Sequence, residues 1–129
     1  MIAVDTSVVV RLITRDHEEQ FQKAFTLFIK HEIFIPETVL LETEWVLRYA
    51  YQFKPDAICD ALTKLLGLAK VKTGRPAIAA QAIALARQGL DFADALHLAS
   101  SQECARLATF DAAFIKRAKG LTSCTVGKV

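Results

Sequence analysis

The chain predicts an α/β fold, with a mostly parallel central sheet flanked by helices in three α/β/α layers. Short apolar runs rich in Val, Ile and Leu alternate with longer segments of helical period, the order that parallel strands joined by helical crossovers produce. The length of 129 residues and the 53% hydrophobic content suit one compact domain over 1–129 and leave no room for a second. Acids also stand directly after strand-like runs, at the carboxyl edge where open parallel sheets hold their ligands.

Each element has its own signal. Met-Ile-Ala-Val, residues 1–4, reads as a first strand. Residues 16–30 carry Phe21, Ala24, Phe25 and Phe28 at helical spacing, and 33–35 form a short buried strand that Pro36 stops. Helices follow over 37–51 and 55–66, the second opened by Pro55, whose fixed φ suits the first helical position. A strand over 68–71 precedes an Ala-rich helix over 76–88, closed by Gly89 as a C-terminal cap. The rest reads as helix 94–104, strand 107–109, helix 111–119 and an edge strand over 124–126. No repeat, low-complexity segment or linker interrupts this order.

Composition excludes several classes. Charge or Pro breaks every apolar stretch before the roughly 18 residues a membrane helix needs, so a soluble protein without a signal peptide is expected. Cys59, Cys104 and Cys124 are odd in number and far apart, with no Cys-x-x-Cys, which argues against disulfides or zinc and fits a reducing cytoplasm. A net charge of +2 is too mild to announce a nucleic-acid binder. Three small basic groups stand near element ends: Arg11 with Arg15; Lys70, Lys72 and Arg75; Lys116, Arg117 and Lys119. They read either as a solvated mixed surface or as a rim for phosphates. The five glycines make no phosphate-binding loop, and no Ser-His-Asp or Cys-His set can be assembled.

Four carboxylates carry the chemistry. Asp5 follows Met-Ile-Ala-Val, Glu42 lies inside Val-Leu-Leu-Glu-Thr-Glu-Trp-Val-Leu, Asp94 ends Asp-Phe-Ala-Asp, and Asp111 ends Ala-Thr-Phe-Asp. Each adjoins an apolar run expected to bury it, and gathered carboxylates repel unless a cation offsets them. Hard oxygen donors suit Mg²⁺ or Mn²⁺, the ions of phosphoryl transfer and phosphodiester hydrolysis. Helix capping competes for Asp5, Asp94 and Asp111, each of which precedes a helical run, although Val8, His97 and Phe114 stand where a capping box needs Glu or Gln. Glu42 has no capping role. At about 100° per residue it projects between Val46 and Tyr49, on what reads as an apolar arc, whereas Glu44 lies roughly 160° away, pairs with Arg48 and is the solvated one. Asp91, Thr109, Thr6 and Ser7 are placed to support these acids. His97, one turn after Asp94, reads as a packing residue, and His17 and His31 as surface positions.

Taken together, Val-Asp-Thr-Ser-Val-Val-Val-Arg-Leu, Leu-Glu-Thr-Glu-Trp-Val-Leu, Asp-Phe-Ala-Asp-Ala-Leu-His and Thr-Phe-Asp resemble the four acidic motifs of PIN-domain nucleases, within them the VapC-type toxins. The resemblance covers nearly the whole chain, in order, with no acid missing. It implies that Asp5, Glu42, Asp94 and Asp111 bind the metal with Ser7 and Thr109 in support. It further implies an endoribonuclease toxin, a homodimer, and a small VapB-like antitoxin that inserts a segment into the groove.

The expected reaction is hydrolysis of an RNA phosphodiester by a water activated on one or two Mg²⁺, with Asp5 and Asp94 as direct ligands and Glu42 and Asp111 acting partly through water. Single-stranded RNA fits a narrow acidic groove better than a duplex does. A haloacid-dehalogenase-like phosphatase with Asp5 as nucleophile is a weaker alternative, because Ser7 occupies the position of its second Asp. A non-catalytic interaction module, whose acids only cap helices, needs no metal.

Overall fold

The computed structural model describes residues 1–129, in which five strands and seven helices alternate: β1 (Ile2–Ala3), α1 (Thr6–Thr14), α2 (Glu18–Lys30), β2 (Ile33–Phe34), α3 (Glu37–Tyr49), α4 (Pro55–Leu66), β3 (Val71–Lys72), α5 (Pro76–Arg87), α6 (Phe92–Ala99), β4 (Arg106–Thr109), α7 (Ala112–Ala118) and β5 (Thr125–Lys128). The predicted α/β class therefore holds. Every strand pair is parallel, but hydrogen bonding divides the strands into a three-stranded and a two-stranded sheet in place of one central sheet. Chain contacts divide the same way, into the compact units Met1–Pro76 and Ala77–Val129.

In the first unit the strand order is β1-β2-β3, with Ile2 opposite Ile33 and Ile33 opposite Val71. Parallel neighbours need long crossovers, which α1 with α2 and α3 with α4 supply. The Ile33 amide donates to the Lys70 carbonyl at 2.8 Å, so β3 begins at Val71, later than the strand expected over 68–71. Ile33 and Ile35 are fully buried, and Val9, Leu40, Leu47 and Leu62 join them in the core. Helix α4 begins at Pro55 as predicted.

Helix α3 is rotated differently from the expectation. Its buried residues are Val39, Leu40, Thr43, Glu44 and Leu47, spaced i, i+3, i+4 and i+7 from Leu40. Glu44 is therefore the buried acid, 5% exposed, while Glu42 is exposed. The Arg48 partner was read correctly: its guanidinium donates two bonds of 3.0 Å to Glu44. Val46, Trp45 and Tyr49 suggest an apolar arc by composition, but the arc of Leu40, Thr43, Glu44 and Leu47 is the one buried as α3 packs against α1 and α4.

A polar knot ties two connections of this unit, the turn between α1 and α2 and the segment after α3. Tyr51 donates to Asp16 at 2.6 Å, Thr14 donates to the same carboxylate at 2.8 Å, and Arg11 donates to both Asp16 and Tyr51, at 3.2 and 3.0 Å. Next to Asp16 and to Tyr51 stand Arg15 and Gln52, the two non-glycine residues with positive φ, 50° and 55°.

The second unit pairs β4 with β5 in parallel, from Arg106 opposite Thr125 to Thr109 opposite Lys128, with α7 as the crossover. Ala82, Ile83, Leu85, Leu98 and Phe114 are buried in it. Helix α6 spans Phe92–Ala99 where 94–104 was expected, because Asp91 provides the N-cap and accepts from the Ala93 amide at 3.2 Å. Asp94 falls in its first turn instead of opening it.

Gly89 closes α5 as predicted. Its φ is 107°, and the amides of Gly89 and Leu90 donate back to the carbonyls of Ala86 and Leu85, the paired bonds of a Schellman cap. A Cβ at Gly89 would meet no atom within 4 Å, so a substitution there tests backbone conformation alone. Gly89→Ala should cost about 1–2 kcal/mol in urea unfolding, the penalty of left-handed backbone. A loss well below this would mean that the cap relaxes.

Candidate metal centre

In the first unit, Asp5 lies just beyond the carboxyl end of β1 and caps α1. The Ser7 hydroxyl donates to its Oδ1 at 2.6 Å and the Ser7 amide at 3.1 Å. The Ser7 hydroxyl bond holds the Asp5 carboxyl below its ordinary range, slight desolvation opposes it, and the amides of Val8 and Ser7 reinforce it. The neighbouring Thr6, itself buried, donates its hydroxyl to Glu42 Oε1. That contact brings Glu42 on α3 to the start of α1, directly beside Asp5 in sequence. Spacing gives no hint of it, because Thr6 and Glu42 are 36 residues apart.

In the second unit, Asp111 follows the end of β4 and caps α7, accepting from the amides of Ala113 and Phe114 at 3.0 and 3.1 Å. Thr109 does not reach that carboxylate. Its hydroxyl oxygen instead accepts from the Asp111 amide at 3.0 Å, which fixes the backbone of the turn. Asp94 is half-buried, and its pKa is raised, by desolvation first and then by the charges of Asp91 and Asp111, with His97 and Arg117 opposing. No hydrogen bond counts among these forces. Asp91 is thus both cap and like-charged neighbour. Arg117, read from sequence only as part of a basic group, is a counter-charge to Asp94, and no sequence interval links the two.

The expected burial of all four acids is not found. Asp5, Glu42 and Asp111 are exposed, since two of them cap helices and the third lies on the outer face of α3, where side chains turn to solvent. No group of three or more His, Cys, Asp or Glu side chains is arranged to hold a metal ion. The acids appear as two sets, Asp5 with Glu42 and Asp94 with Asp91 and Asp111, each within its own unit. Such sparse, hard oxygen sets fit Mg²⁺, which keeps several waters and takes one or two carboxylates, better than a metal that needs a closed cage. At Asp94, burial and then the charges of Asp91 and Asp111 disfavour the ionised form, a bias that a cation would oppose.

The basic groups are largely engaged elsewhere. Arg11 pairs with Asp16, Arg15 with Glu18 and Arg75 with Glu37, while Lys70 and Lys72 donate to the carbonyls of Ile29 and Ala69. A phosphate rim built on these two groups is not preformed.

The model of the PIN domain family matches residues 2–120. No curated protein matches the chain.

The raised pKa of Asp94 has a definite sign. Its ionised form is disfavoured in the folded chain, so stability should fall as pH rises from the unfolded value of 3.8 through the raised folded value. Asp5 has the opposite sign, contributing stability at higher pH that is lost as pH falls below 3.8. In metal-free buffer at pH 7, Asp94→Asn should melt at or above the wild-type temperature, with the gain disappearing near pH 3. A lower melting temperature at pH 7 would assign Asp94 a structural role.

Proposed function

Because the chain belongs to the PIN domain family, we propose that it is a divalent-metal-dependent endoribonuclease, with Asp5, Glu42, Asp94 and Asp111 as its metal-binding acids. The observation that carries this reading is Asp94, a half-buried carboxylate with two further carboxylates for neighbours. A purely structural acid would be expected to have a hydrogen bond or to be replaced. A bound Mg²⁺ would supply a water of lowered pKa and offset charge on the phosphate.

The chain's own residues prepare for that ion. Ser7 stabilises the ionised form of Asp5, and Thr6 donates to one oxygen of Glu42. The α7 amides orient Asp111, and Thr109 holds the turn that carries it. Burial first, and then the charge of Asp91, disfavours the ionised form of Asp94, a bias that a bound cation would oppose. We further propose the finer role: a homodimeric VapC-type toxin acting on single-stranded RNA and silenced by a small VapB-like antitoxin. Four acidic motifs in family order support it, and an Arg from the partner is the group suited to offset the acids.

Cleavage of a total RNA pool with and without Mg²⁺ tests the activity. Asp5→Asn and Glu42→Gln should reduce cleavage to background. Glu44→Gln should keep it while losing about 1–3 kcal/mol of stability, because it weakens a buried bidentate bond to Arg48. Equal cleavage by all three variants would remove Asp5 and Glu42 from the site. Expression without a partner should arrest growth for wild type and not for Asp5→Asn, and equal arrest at matched levels would overturn the toxin role.

A further inference from the structure

The outer face of α3 carries more than Glu42. Trp45 and Tyr49 follow it at i+3 and i+7, so all three project within an arc of about 60°, with Tyr49 some 10 Å along the axis from Glu42. Both rings are large and open to solvent, Trp45 56% exposed and Tyr49 58%. Their centroids are 5.0 Å apart with the planes tilted by 49°. Tyr49 is fixed from its side as well: the Arg48 guanidinium lies 4.7 Å from its ring centroid and is held in turn by the two bonds to buried Glu44. The face is therefore a rigid aromatic step that begins one turn from a candidate catalytic acid.

Exposing two such rings forfeits hydrophobic stabilisation that burial would give, so an occupant is called for. The rings offer roughly 250 Å² between them, well short of the about 800 Å² per side that a stable protein interface covers. Charged Glu42 and Arg48 bound the patch, which further disfavours a dry protein contact. Unpaired nucleobases need only a flat π surface of this size, and they tolerate a charged border.

We infer that Trp45 and Tyr49 form a stacking platform for unpaired bases of a single-stranded RNA beside the scissile phosphate. This rests on the nuclease reading of Glu42. Arg48 acts as a positioning residue through Tyr49, and the platform favours single strands over duplex because a paired base cannot leave its stack to reach the rings.

Trp45 is the sole tryptophan, so intrinsic fluorescence reports on the platform alone. A short single-stranded oligoribonucleotide is titrated into full-length Asp5→Asn protein in EDTA, where nothing is cut. Saturable quenching is expected, with none from a duplex of equal length. By anisotropy of the labelled strand, Trp45→Ala in that background should bind about tenfold more weakly, and Trp45→Phe within about threefold. With Asp5 restored and Mg²⁺ present, Trp45→Ala should raise KM about tenfold and leave kcat within about twofold. Unchanged Trp45 emission, or unchanged binding by Trp45→Ala, overturns the platform. So does emission that follows protein dilution, with Trp45→Ala converting a dimer to a monomer, which would make the face a contact between copies. Loss of cleavage with quenching retained would instead count against the nuclease reading alone, because binding in EDTA does not depend on catalysis.

Discussion

Which arc of α3 enters the core decides what its charged residues can do. Leu40, Thr43, Glu44 and Leu47 face inward, so Glu44 is committed to Arg48 and cannot serve a ligand. The same rotation turns Glu42 outward to Thr6 and sets Trp45 and Tyr49 on the surface. It has a cost, because the hydroxyl of Thr43 is buried without a hydrogen-bond partner. A helix held by four inward residues cannot make the rotation of about 160° that would exchange its two acids without exposing Leu40 and Leu47.

The carboxylates beyond α3 are tuned in opposite directions. Asp5 is surrounded by donors, Ser7 above all, and remains ionised across the neutral range. Asp94 has burial and two acids for company and resists ionisation. Asp5 and Asp111 each cap their helix through Oδ1.

Much of this was legible in the sequence. Proline marked α4 to the residue and glycine the end of α5 to within one, and the alternation of apolar runs gave the parallel strands, because both signals act locally through φ and periodicity. The rotation of α3 was not legible. Trp45, Val46 and Tyr49 are as apolar as Leu40 and Leu47, and only the packing of α3 against α1 and α4 selects between the two arcs. The start of α6 was misplaced for a related reason: Asp91 and Asp94 are equally good caps by type, and the backbone chose the first. Within the site, Asp5 with Ser7 could be read from adjacency. Glu42 with Thr6, and Asp94 with Arg117, join residues that no local pattern relates.

The bond between Tyr51 and Asp16 has a dynamic consequence. It joins two tight turns, and each contains a residue held in left-handed backbone, Arg15 and Gln52, at a conformational cost of about 1–3 kcal/mol apiece. Neither turn can relax while the bond is made, and neither is restrained by it once broken. The end of α1 and the segment after α3 are therefore mechanically coupled, and native-state hydrogen exchange would see their amides open as one unit, well below the energy of global unfolding. Acid weakens this latch directly, since the hydrogen bond from Tyr51 is the main force that keeps Asp16 ionised to low pH.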